Sequence, residues 1–493
     1  MKKHLLGLSM GVAACSLAGA AFAAGSNNSY TDQSGSKGDI VINQNSDANG
    51  RVVTGGGNGG NNYVGYNGKS FQQSGYGNDL TVNQTGTSNA LGFDVGSQAG
   101  TNNTANVLQQ GNDSRVELLQ NGSNNGQDSR RIFLDTNGRS ADSNLIKQDA
   151  NALRSTIDLR QNGSNSGEFN LIQSGTENRQ TVKQSGDGNQ VATNQASTTH
   201  NSSISVTQAG TSLQNPNYTR AYQNNQASSS ITVSQTGHGN NAAAGQQAYV
   251  NSNTNVGNTI SSLQNGNDNK AYVFQYDGSS NQAYSTQYGN AGTAAIFQRQ
   301  GDSNYASVTQ DSGSYNAYAS IQQAGTGNYA TSSQGGQNNT LRGPGSEFRY
   351  LYQQAAYQNG NYNQLFNTQR GSGNTADVLQ QGNSNFLRND QYGSNGRMTS
   401  KQIGNSNQVY SNQTSGSDLA MLIVTQTGNG NYANSTQGGL RNEATLIQSG
   451  DNNVINGQQY GQDNHATVSQ YNNSNAVGYA QSGSGNRLTV TQR

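Results

Sequence analysis

Residues 437–492 read QGGLRNEATLI, QSGDNNVINGQ, QYGQDNHATVS, QYNNSNAVGYA, QSGSGNRLTVT and a final Q when cut every eleven residues. Every cut opens on glutamine (Gln437, Gln448, Gln459, Gln470, Gln481, Gln492), and the sixth position of each full unit is asparagine (Asn442, Asn453, Asn464, Asn475, Asn486). The third position is glycine (Gly439, Gly450, Gly461, Gly483), with Asn472 as the exception. A fixed period decides architecture before any local reading does. The chain is built from Q-x-G-x-x-N units.

The glutamine column continues upstream through Gln358, Gln369, Gln380, Gln391, Gln402, Gln413 and Gln426, with Gly360, Gly371, Gly382, Gly404 and Gly428 as turn glycines. Before that it runs from Gln73 and Gln84 through Gln98, Gln109 and Gln120, resumes at Gln173, and passes Gln235, Gln247 and Gln264 on its way to Gln334. The spacing loosens near 121–160, 211–222 and 335–352, which reads as irregular turns rather than new domains. Pro216 and Pro344 fall in the last two breaks, where no ladder hydrogen bond is lost. Residues 24–70, with the run TGGGNGGNNYVGYNG at 54–68, read as a flexible Gly/Asn-rich leader, although Gln33 and Gln44 keep the eleven-residue spacing.

Within one unit, Asn464, Ala466, Val468 and Gln470 alternate with His465, Thr467 and Ser469. Period-two alternation marks a strand with one buried face. The linking x-G-x-x supplies a tight reversal, because Gly adopts positive φ freely and Asn tolerates it. A strand of about 6 residues and a turn of about 5 make one unit, so two units form a strand–turn–strand rung of about 22 residues. The expected fold is an all-β solenoid over 71–493, about 20 rungs stacked at ~4.7–4.9 Å, which becomes cross-β amyloid when polymerised. Its inward amides would lie over the same amides one rung away. An unpaired buried amide costs about 1–3 kcal/mol, so a lone rung should not fold while a stack should.

Composition agrees with a thin core. The hydrophobic fraction is 30% and the charged fraction 11%, the former well below the usual ~45–50%. Lys plus Arg and Asp plus Glu balance at 26 each, so no global field recruits nucleic acid or an anionic membrane. Lys2 and Lys3 precede an apolar run ending at Ala21-Phe22-Ala23, a secretory signal peptide over 1–23 with cleavage after Ala23. Cys15, the sole cysteine, lies within it. Val12-Ala13-Ala14-Cys15 resembles a lipobox, but the apolar stretch that follows favours ordinary cleavage. No other stretch approaches the ~20 apolar residues of a membrane helix, so no membrane insertion is expected.

The pattern S-x5-Q-x-G-x-x-N-x-A resembles the curlin repeat of bacterial surface amyloid. Ser229 through Gln235-x-Gly237-x-x-Asn240-x-Ala242 carries most of it, and Ser114 through Gln120-x-Gly122-x-x-Asn125 carries part. The resemblance implies an extracellular fibre subunit that reaches the cell surface through the periplasm. It also implies an outer-membrane secretion channel, a chaperone and a nucleator as partners, and a role in biofilm and adhesion. The repeat that ends at Thr489-Val490-Thr491-Gln492-Arg493 without a cap suggests end-to-end homopolymerisation. Two other roles stay open: a nucleator or minor subunit of such fibres, and a self-contained monomeric β-solenoid adhesin. Tyr305, Tyr329 and Tyr432, on the outward side, suit an adhesive face and are also simply good strand formers. The histidines are scattered and no acidic pair recurs, so neither catalysis nor a metal or other cofactor is expected.

Overall fold

In the computed structural model the described residues are 28–29, 31–36, 39–45, 63–64, 71–76 and 78–493, except 86–88, 102, 110–114, 124–131, 134–139, 142–144, 149–150, 164–167, 213, 249–254 and 344–354. The expected signal peptide with Ala21, Ala23 and Cys15, most of the 54–68 run, and Pro344 lie outside them.

The described residues form strands and turns, with no helix among them. Successive strands alternate between two parallel sheets. In the first, Phe386–Gln391 pairs with Gln408–Gln413, which pairs with Tyr432–Leu440. In the second, Arg397–Ile403 pairs with Met421–Thr427, which pairs with Glu443–Ser449. Each strand therefore meets its equivalent one full rung later, after the chain has visited the opposite sheet. That crossover is what allows parallel pairing with turns this short.

Alternation sets the core. Asn464, Ala466, Val468 and Gln470 are buried, while His465 and Thr467 are half-buried on the other face. One hydrophobic cluster, including Val107, Val182, Ile260, Val308, Leu387, Leu422 and Leu446, runs between the sheets along the whole described stack. It is only a few side chains wide at each level, which is how a chain this polar still closes a dry interior.

Many of the turns use two left-handed residues. Gly404 has φ +114° and Ser406 +57°; Gly450 has +114° and Asn452 +58°. Where glycine is missing, Asn472 takes φ +70°, the conformation asparagine tolerates best after glycine. At Gly404 the need is also steric, since a Cβ there would overlap the carbonyl oxygen of Gly428 one rung on. Gly404→Ala should therefore lower the urea midpoint by the equivalent of about 1–3 kcal/mol. Gly416→Ala, where a Cβ meets open space, is the matched control and should leave the midpoint in place.

Two expectations need correction. The paired strands begin before residue 71: Thr31–Ser36 aligns with Phe71–Tyr76, and Asp39–Asn45 with Asp79–Thr85. Gln33 thus sits over Gln73 and Gln44 over Gln84, so part of the expected leader belongs to the stack. The rungs are also fewer than a uniform 22-residue period would give. Ladder partners are 22 residues apart at Gln358–Gln380 but 29 at Gln235–Gln264 and 41 at Gln120–Gln161. The longest step carries extra chain, including the antiparallel pair Ile132–Phe133 with Ser140–Ala141.

Candidate functional site

The candidate site is the surface by which one rung recognises the next. Its centre is a glutamine at the end of each strand. In the second sheet Gln358 donates from Nε2 to Oε1 of Gln380 at 2.8 Å, Gln380 to Gln402 at 2.9 Å, and Gln402 to Gln426 at 3.0 Å. Gln426 continues to Gln448 at 2.8 Å, Gln448 to Gln470 at 3.1 Å and Gln470 to Gln492 at 2.8 Å. The first sheet repeats the arrangement from Gln369 to Gln391, Gln413, Gln437, Gln459 and Gln481, at 2.8–3.0 Å. Upstream the columns reach back to Gln73 and Gln84. Every one of these bonds points the same way, from the earlier rung to the later.

The second amide hydrogen is used across the core. Gln402 Nε2 also bonds the Phe386 carbonyl at 3.0 Å, and Gln448 Nε2 the Tyr432 carbonyl at 3.0 Å. Both carbonyls belong to the opposite sheet. Gln402 and Gln448 therefore each tie their rung to the next rung and their sheet to the facing sheet, with donors and acceptor satisfied while buried.

The asparagines form a second column with the opposite sense. Their Oδ1 atoms point forward and accept the backbone N–H of the next asparagine: Asn453 from Asn475 at 3.0 Å, Asn442 from Asn464 at 3.2 Å, Asn464 from Asn486 at 3.2 Å. Their Nδ2 groups reach the next turn, as from Asn453 to the Asn472 carbonyl at 2.8 Å. Side-chain dipoles of the two columns thus oppose each other, and each column polarises its own members cooperatively. The column is interrupted in the second sheet at Gly396, whose backbone N–H still donates to Asn374 Oδ1 at 2.9 Å, and at Ala420, whose backbone carbonyl accepts from the Arg397 N–H at 2.8 Å.

Some ladder members differ from the sequence reading. Gln246, not Gln247, bridges Gln223 and Gln275 (2.9 Å on each side), because Gln246 shares the buried face with Ala242 and Ala244. Gln148 and Gln223 also belong and fill gaps that looked like loose spacing. An inner amide step was not anticipated: Asn389 donates to Asn367 at 2.8 Å, and Asn367 to Ser332 at 3.2 Å. Polar residues two places before the column glutamine are its sequence signal, but they recur as Ser400, Ser411 and Ser435 in other rungs, so the pattern alone does not mark the amide step.

The inward Tyr479 leans into the space left by Gly457 on the preceding rung. Burial pushes its phenol up to about 12, partly offset by the Ser435 hydroxyl. Its folded value lies above the unfolded ~10, so the stability it lends is complete below pH ~10 and is lost as pH rises to about 12. Ultraviolet titration should show a late-ionising phenol that disappears in Tyr479→Phe.

Outward, rings stack in a zigzag along the first sheet. Tyr284, Tyr305, Tyr329, Phe366, Phe386, Tyr410 and Tyr432 are joined by centroid distances of 4.8–5.6 Å. Beside Phe366 and Phe386 lies an open groove of about 600 Å³ floored by Thr309, Thr331 and Ser333 and edged by Arg388 and Asp390. Among the described residues no group of three or more His, Cys, Asp or Glu could hold a metal ion.

The family model of the curlin associated repeat matches residues 439–471 and 461–493, the two overlapping windows in which the eleven-residue period is cleanest. A comparison with curated proteins finds no match. With the matched repeats continuous in register and hydrogen bonding with the rungs before them, residues 439–493 are curlin associated repeats that form the last rungs of a parallel β-solenoid.

Proposed function

We propose that this protein is a secreted structural subunit that polymerises end to end into curli-like amyloid fibres, which support a biofilm matrix and surface adhesion. One observation carries the reading: both glutamine columns pass from rung to rung with a single direction and nearly constant geometry. A rung of a second copy would meet the same donors and acceptors that a rung of the same chain meets. A heterologous contact of this kind does not close on itself and yields filaments. An outer-membrane channel, a chaperone and a nucleator as partners follow from the family, as does delivery to the cell surface after removal of residues 1–23. The outward aromatic stack gives the adhesin reading its support, and a fibre that displays that stack along its length accommodates both roles.

The test dilutes denatured mature chain into buffer, with and without preformed fibre seeds, and follows thioflavin T fluorescence and circular dichroism. The expected result is a lag that seeds shorten and fibres with a meridional reflection near ~4.7 Å. Concentration-independent folding to a soluble monomer indifferent to seeds would leave the monomeric adhesin as the function.

A further inference from the structure

The outward face holds a tyrosine pair placed for covalent cross-linking. Tyr305 and Tyr329 occupy equivalent positions on adjacent strands of the first sheet. Their ring centroids are 4.8 Å apart and their planes within 7° of parallel, the tightest and flattest contact of the aromatic stack. Tyr329 is 36% exposed, so the pair is open to reagents in solution. The parallel register on both sides of the pair, Gln282 to Tyr305 and Tyr329 to Gln364, holds the two Cα positions one strand spacing apart. No thiol outside the expected signal peptide competes as the oxidisable side chain, since Cys15 is the sole cysteine.

We propose that Tyr305 and Tyr329 are a dityrosine-forming site, cross-linked within one chain by a peroxide-driven one-electron oxidant. Each phenol loses one electron and one proton to give a tyrosyl radical with spin on the ring carbons ortho to oxygen. The two radicals join through a new carbon–carbon bond between ortho carbons. Each ortho hydrogen then moves to its oxygen and restores aromaticity. Two tyrosines thus lose two electrons and two protons in all, and one hydrogen peroxide takes them up to form two waters. A folded scaffold is required, because the coupling needs the second radical within reach before the first is quenched. The product joins neighbouring rungs covalently and closes the segment between them, as a disulfide would in a chain with cysteines. The inference concerns a contact inside one chain and does not rest on polymerisation.

The experiment treats the folded mature chain with a haem peroxidase and hydrogen peroxide, then maps peptides by mass spectrometry. An equal mixture of ¹⁵N-labelled and unlabelled chains separates links within a chain from links between chains. The expected product is a Tyr305–Tyr329 peptide pair lighter by two hydrogens, within one isotope population, and more abundant than the Tyr284–Tyr305 product whose rings lie 5.5 Å apart and 40° tilted. It should vanish in Tyr305→Phe and in Tyr329→Phe, which keep the ring and the circular dichroism of the parent, and when oxidation is done in denaturant. Absence of the pair from the folded parent, its persistence in denaturant, or its formation only between chains would overturn the assignment. Formation between chains alone would leave the fibre reading intact, while failure to form fibres would leave the cross-link intact.

Discussion

In a urea titration Gln402→Leu unfolds earlier than the parent chain, with a loss of about 2–6 kcal/mol from two orphaned amide groups at ~1–3 kcal/mol each. Gln402 is fully buried, accepts from Gln380 at 2.9 Å and donates to Gln426 at 3.0 Å. Leucine fills a similar volume, so the cost arises from polarity and not from a cavity. It strands one amide hydrogen of Gln380 and the Oε1 of Gln426, and removes the tie to the Phe386 carbonyl on the facing sheet. Stability in a stack is a sum of rung terms and nearest-neighbour terms, so a break in the middle uncouples the two halves as well. The unfolding curve should broaden or split. Lys401→Leu, one residue away and exposed on the outer face, should move the midpoint by less than about 0.5 kcal/mol. Equal effects of the two substitutions would mean that the column is not a structural ladder.

Leu422→Ala is the second large effect, about 2–5 kcal/mol by the cost of a buried cavity. Leu422 has no exposed surface and lies in register between Met398 and Ala444. The small Ala444 cannot expand into the space. Backbone bonds from Arg397 to Ala420 and from Met421 to Asn442, both 2.8 Å, hold the rungs at fixed separation. Collapse around the cavity is therefore resisted, and the loss should fall in the upper part of the range. Ile423→Ala, on the outward face, is the matched control and should cost much less, as read from thermal or urea midpoints.

The sequence made the rung legible because the same residues serve two purposes. Gln437 to Gln492 announce the period and also make the ladder, and Ala466 and Val468 mark the buried face and also fill it. The start of the stack was harder to read. Gln33 and Gln44 are one spacing only, and the glycine-rich run at 54–68 separates them from Gln73, yet pairing in parallel sheets tolerates inserted chain between rungs because loop closure costs rise slowly with length. Gln246 and Gln247 are adjacent, so composition could not choose between them; a one-residue shift reverses the face, and Ala242 and Ala244 decide for Gln246. The ring stack was invisible for another reason. Tyr329 meets Phe366 and Phe386 meets Tyr410 diagonally, two positions along the strand, and only the register between rungs reveals such neighbours.

The most direct test of the two-strand rung is a disulfide register scan in a chain carrying Cys15→Ser. Thr445 and Thr467 face outward and are paired on adjacent strands of the second sheet, 22 residues apart. Thr445→Cys with Thr467→Cys should form a disulfide within the chain on mild oxidation, since neighbouring strands lie ~4.8 Å apart, within the Cα span a disulfide accepts. Thr445→Cys with Asn456→Cys, separated by half that distance in sequence, places the thiols on opposite sheets and should stay reduced. A disulfide in the first variant and none in the second is the result this architecture requires; the reverse outcome would mean that each eleven-residue unit is itself a rung, and would contradict it.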